Sequence, residues 1–136
     1  MVDLVFEYQG TLDKYVGDAL MAVFGVPVPL PDAATRAVQC AVAMQRRLAE
    51  LQVQGRTPIQ GMRVGINTGE AIVGNIGSDK RMDFTVIGDA VNVAARLQEL
   101  AKELEADTLV SAATYRQATD RRLRGGREAQ DHHRHR

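Results

Sequence analysis

Apolar residues between Leu12 and Phe24 fall into two short runs on either side of Gly17-Asp18. Two such runs around a Gly-containing pair predict a β-hairpin, with strands from Leu12 to Val16 and from Ala19 to Phe24 and the pair supplying the positive φ of a two-residue turn. Residues 2 to 8 read as the end of a helix closed near Gly10. Pro27, Pro29 and Pro31 then fix φ and remove donors, which makes a stiff connector, and Asp32 stands where a helix cap is needed. Beyond it Ala34, Ala37, Val38, Ala41, Val42, Leu48 and Leu51 recur at spacings of three and four, so a helix to about Leu51 buries one face.

The stretch "MRVGINTGEAIVGNIG" predicts a second hairpin turning near Thr68-Gly69-Glu70, and "MDFTVI" a further strand. Helical periodicity returns in "DAVNVAARLQELAKEL", where Ala90, Val93, Ala94, Leu97, Ala101 and Leu104 form a stripe and Asp89 is the expected cap. "DTLVS", residues 107 to 111, closes the pattern with a short strand. Strands interleaved with amphipathic helices mean an α/β or α+β sandwich rather than a bundle or a barrel.

Composition narrows the class without naming a function. At 136 residues, 45% hydrophobic and 25% charged, the chain suits one globular domain. Lys and Arg number 17 against 17 Asp and Glu, so overall charge gives no argument for nucleic acid or an anionic membrane. The balance is uneven: "RRLRGGREAQDHHRHR" holds six Arg against Glu128 and Asp131, and it is set apart, with residues 119–136, as a basic Arg/His-rich tail expected to be disordered. Its His132, His133 and His135 lack a scaffold for metal binding. The lone Cys40 excludes an internal disulfide and reads as a small apolar core group. The longest apolar run is too short and too interrupted to span a bilayer, and no signal pattern opens the chain, so the expected location is cytoplasmic, without membrane contact.

Two features carry chemistry. Asn92 and Arg96 are four apart on the last long helix and share a face. Lys14 and Asp18 stand on and just past one strand of the first hairpin. A guanidinium, an amide, an ammonium and a loop carboxylate suit a phosphate and Mg²⁺ site, although Asp in a turn and Lys on an edge strand are also ordinary structural residues. "GNIG" at residues 74–77 lacks the Lys-Ser/Thr ending of a phosphate loop, and hairpin glycines account for it.

The segments "GTLDKYVGDALMAVFG", "VPVPLPDAATRAVQCAVAMQRRL" and "GINTGEAIVGNIGSDKRMDFTVIGDAVNVAARLQ" resemble the catalytic domain of class III nucleotidyl cyclases, the bacterial adenylate cyclase branch in particular, over residues 1–118. The resemblance implies a ferredoxin-like cyclase fold and conversion of ATP to 3′,5′-cyclic AMP and pyrophosphate, with two Mg²⁺ or Mn²⁺ ions in a site shared by two domains. By this resemblance Asp18 is one of two metal aspartates, Lys14 and Thr85 select the purine, Asn92 orients the ribose and Arg96 stabilises charge on the α-phosphate. Lys donates to adenine N1 and Thr accepts from the 6-amino group, whereas guanine presents the opposite pattern, at about 1–3 kcal/mol per unmet group. Lys14 and Asp18 then serve different active sites, so a homodimer or a complete cyclase domain is the expected partner.

The pattern also departs from the family. The first metal aspartate of such domains lies on an opening strand that this sequence lacks, and Asp3, Glu7 and Asp13 do not replace it. The strands that follow "TLVSAATYRQATD" in the family are replaced by the basic tail. The expectation is therefore an incomplete fold, a truncated or frame-disrupted form of a longer cyclase that is incompetent alone. The alternatives are a noncatalytic cyclase-like module that dimerises or regulates, and a guanylate cyclase.

Overall fold

The computed structural model describes residues 1–26, 28–76 and 83–118, with the side chains of residues 75, 76 and 83–85 outside that description. The tail, 119–136, lies outside the described residues. A short helix α1 (Val2–Glu7) leads into β1 (Thr11–Val16) and β2 (Ala19–Val23), then α2 (Ala33–Val53), β3 (Val64–Ile66), β4 (Ile72–Ile76), β5 (Asp83–Ile87), α3 (Asp89–Glu103), β6 (Thr108–Val110) and α4 (Ala112–Gln117).

β1 and β2 form the expected antiparallel hairpin. Gly17 alone takes a positive φ at its turn, 61°, and Asp18 does not share it. Among the described residues β3 and β4 do not pair as the second expected hairpin. β3 pairs in parallel with β6, Val64 opposite Thr108 and Ile66 opposite Val110, while β4 pairs antiparallel with β5. The loop after β3 is held elsewhere: Thr68 Oγ1 lies 2.8 Å from Thr114 Oγ1 on α4, and Asn67 Nδ2 donates to the Ala90 carbonyl on α3 at 3.1 Å. Those bonds carry the chain away from β3 before β4 begins. The described strands thus form three two-stranded ladders.

Two clusters supply the core. Leu4 and Val5 of α1 meet Cys40 and Met44 of α2, with Phe24 and Met62 against them. Leu97 and Ala101 of α3 enclose Leu109 of β6, with Val93 and Leu100 alongside. The α2 periodicity reads correctly at Ala34, Val38, Ala41 and Leu48, and Cys40 is 2% exposed as expected, but Ala37, Val42 and Leu51 are only half-buried. Leu104 is exposed, because α3 ends at Glu103 and Leu104 is its cap.

Caps also differ from expectation. Asp32 does precede α2, yet its carboxylate makes no cap bond and instead accepts from Arg36 Nε at 3.0 Å. Gly88 rather than Asp89 caps α3, with φ at 139°, and Asp89 sits in the first turn, where its charge suits the helix dipole. α4 has no counterpart in the expected elements. Its start is signalled by Ser111, whose hydroxyl accepts from the Thr114 amide at 3.2 Å.

Candidate active site

α3 is the platform. It lies so close to β3 that a Cβ on Gly65 would stand 2.5 Å from the Ala94 carbonyl oxygen and 2.5 Å from the Gln98 nitrogen. Only glycine permits that approach, and it seats the middle of the helix directly on the strand. Gln98 Nε2 adds a bond to the Arg63 carbonyl at 3.3 Å, and Asn67 holds the first turn through Ala90. Leu97 and Ala101 face inward, which turns Asn92 and Arg96 outward, and both are exposed.

Neither side chain makes a hydrogen bond or ion pair among the described residues, in contrast to Arg36, Arg47 and Arg63, whose guanidinium groups hold Asp32, Asp3 and the Ala106 carbonyl. An amide and a guanidinium one helical turn apart, rigidly seated and unspent, suit a polar anionic ligand lying along the helix.

β1 and β5 come into contact without sharing a ladder among the described residues. Lys14 is therefore carried on a strand in contact with the one that carries Thr85, whose own backbone pairs with Gly74. The Thr85 side chain lies outside the described atoms. Lys14 is part-exposed, with Nζ 3.5 Å from Asp13 Oδ2. Asp18 is exposed at the hairpin turn.

Metal capacity is small. No three His, Cys, Asp or Glu side chains gather among the described residues. Asp18 supplies one carboxylate, which suits a single hard cation that takes its other ligands from phosphate oxygens and water. Among the described residues Asp18 does not build a two-ion clamp.

The residue that sequence reasoning placed outside the chemistry is Asp13. Its side chain has no solvent exposure, and neither oxygen has a hydrogen-bond partner among the described residues. Nothing in the one-dimensional pattern marks it, because its burial depends on an irregularity in β1.

Comparison with known proteins bears on this geometry. The family described as "Adenylate and Guanylate cyclase catalytic domain" matches residues 3–131. Adenylate cyclase 1 of Rhizobium meliloti is 35% identical over 121 residues, 87% of this chain and 18% of that protein. The crystal structure of the adenylyl cyclase CyaB from P. aeruginosa superposes with a TM-score of 0.71 at 40% identity, covering 85% of this chain and 61% of that one. The crystal structure of the guanylyl cyclase Cya2 also reaches a TM-score of 0.71, at 36% identity, covering 88% of this chain and 61% of that one. The chain spans a fifth or less of the length of the curated relatives it matches. Among the described residues no helix is long and apolar enough to cross a membrane.

Proposed function

Because the chain belongs to the adenylate and guanylate cyclase catalytic domain family, we propose that it supplies the nucleotide-facing half of an adenylate cyclase site that is completed by a second cyclase domain. The observation that carries this reading is the pair Asn92 and Arg96, exposed and without side-chain partners among the described residues, on a helix fixed against β3. In this reading the ribose 3′ oxygen attacks the α-phosphorus of ATP, the bond to the β-phosphate oxygen breaks, and pyrophosphate leaves as the hydroxyl proton is lost. Arg96 places positive charge where it builds on the α-phosphate, and Asn92 holds the ribose by its amide. Lys14 donates to adenine N1 and Thr85 accepts from the 6-amino group. Mg²⁺ or Mn²⁺ held by the partner's carboxylates would neutralise phosphate charge there, and Asp18 would contribute to the second site of the pair.

Lys14 and Thr85 favour ATP over GTP, since guanine sets a donor against the ammonium. Asp18 and the Lys14, Thr85, Asn92 and Arg96 set serve different sites of the pair, so the metal carboxylates facing this chain's Arg96 come from the partner, which is a copy of the chain or a complete cyclase domain. A regulatory module without catalysis is the second reading.

The test uses purified chain with ATP and Mn²⁺, alone and mixed with a complete cyclase domain whose Lys, Asn and Arg half-site has been disabled. No cyclic AMP is expected from the chain alone, and the mixture is expected to restore it. Cyclic AMP from the chain alone refutes the dependence on a partner. A silent mixture refutes the catalytic half-site and leaves the regulatory reading, and a mixture that makes cyclic GMP when given GTP but no cyclic AMP when given ATP refutes the base assignment.

A further inference from the structure

Regular strands send successive side chains to opposite faces, which keeps neighbours in sequence apart. β1 breaks this alternation once. Leu12 pairs with Ala22 and Lys14 with Met21, so Asp13 is an extra residue that has no partner on β2. Such a bulge re-aims the side chains around it. Here it sets Lys14 Nζ 3.5 Å from Asp13 Oδ2, with the Lys14 side chain 42% exposed and that of Asp13 sealed from solvent.

Both Asp13 oxygens are buried and accept no hydrogen bond among the described residues, the Lys14 ammonium at 3.5 Å being an ion-pair neighbour only. A carboxylate buried in that way costs free energy, and its presence at a bulge asks for a purpose beyond folding. The cation set against it is the same Lys14 that points to the base in the reading above.

We propose that Asp13 is a positioning residue for base recognition. Its carboxylate holds the Lys14 ammonium in place, so that the cation bridges Asp13 and the ring acceptor of adenine. The proposal rests on the assignment of Lys14 to the purine. A lysine stem loses rotamer freedom when its ammonium is fixed. Fixing it in the unliganded protein removes that cost from binding, which is preorganisation. An ammonium carries three hydrogens and can face more than one acceptor at once. The guanine edge offers an N–H at that point, and a cation tethered by Asp13 cannot swing aside to accommodate it.

The experiment measures binding of ATP and of 1-deaza-ATP, in which carbon replaces the ring acceptor, to the full chain by calorimetry. Wild type, Asp13→Asn, Lys14→Ala and the double variant are compared, each with a thermal melt to check folding. Wild type is expected to favour ATP over the deaza analogue. Asp13→Asn is expected to weaken ATP by about tenfold, to leave the analogue unchanged, and to add nothing in the Lys14→Ala background, since coupled residues are non-additive. Equal weakening of both ligands, or an undiminished Asp13→Asn effect in the double variant, overturns the proposal alone. If wild type binds the two ligands alike or binds neither, the purine assignment of Lys14 falls and this inference with it. If Asp13→Asn does not fold, Asp13→Ser carries the same expectations, and failure of both to fold assigns the carboxylate to the fold and overturns the proposal.

Discussion

Substituting Gly65 by Ala tests whether the seat of α3 governs the site. The added methyl would stand 2.5 Å from the Ala94 oxygen and the Gln98 nitrogen and 3.0 Å from the Leu97 carbonyl carbon, against the 3.4 Å at which ordinary contact begins, so the helix must retreat by about 0.9 Å. All three neighbours are backbone atoms of α3, and no rotamer change relieves the overlap. β3 cannot yield instead, since Gly65 stands opposite Leu109 in the parallel ladder and the Ile66 carbonyl accepts from Ser111 N at 3.0 Å. Overpacking of this kind costs about 1–3 kcal/mol, which for a domain of this size lowers the melting temperature by about 4 °C per kcal/mol. A displacement near 1 Å of Asn92 and Arg96 is expected to cost roughly 100-fold in turnover of the mixed enzyme. Calorimetric melting and cyclic AMP production read the two effects separately. Gly61→Ala is the control, because nothing lies within 4 Å of its added methyl, and it should change stability by no more than about 0.5 kcal/mol. Gly65→Ala with wild-type melting and wild-type turnover would refute the seating argument.

Arg96→Ala should lower turnover of the mixture by roughly 100-fold or more with an unchanged melting temperature, since the side chain is exposed and holds nothing among the described residues; a large fall in melting temperature would show a structural role instead. Asp18→Ala should leave complementation intact, because the partner brings the metal carboxylates, and loss of cyclic AMP from the mixture would place Asp18 in the working site. Burial, assisted by the charge of Glu7, pushes the Cys40 thiol up to about 11 from its ordinary 9.0. Its contribution to stability is whole below pH 9 and is lost as pH rises toward 11, and a thiol-specific disulfide reagent at pH 8 should label Cys40 only on unfolding. The hydrogen bond from Arg47, with a second from the Met1 amino group, holds Asp3 down at about 2 from 3.8. That contribution is present above pH 3.8 and lost as pH falls toward 2, so Asp3→Asn should flatten the acid limb of a pH-stability curve in this window.

What could be read from the sequence follows the range of the interactions. α1, the first hairpin, α2 and α3 depend on spacings within a few residues, and each lies close to its expected span. β3 pairs with β6 across a gap that contains two other strands and a helix, so no local pattern announces a parallel ladder. The glycine at 69 therefore reads as a turn, although the side chains beside it are committed to Thr114 and Ala90. Asp89 reads as a cap because aspartate commonly is one, yet the extreme φ of Gly88 places the cap one residue earlier.

The site divides along the same line. Asn92 and Arg96 are legible because helical spacing alone puts them on one face, and the structure adds what spacing cannot, the glycine contact that fixes where that face lies. Lys14 is legible only by resemblance, since a lysine on an exposed strand is usually inert. Its neighbour Asp13 is illegible by either route, because regular alternation would send the two side chains apart and only the bulge at Asp13 brings them together. A recognition element made from adjacent residues thus depends on one misregistered residue pair in a hairpin, and removing the bulge while keeping both side chains would separate carboxylate from ammonium as effectively as mutating either one.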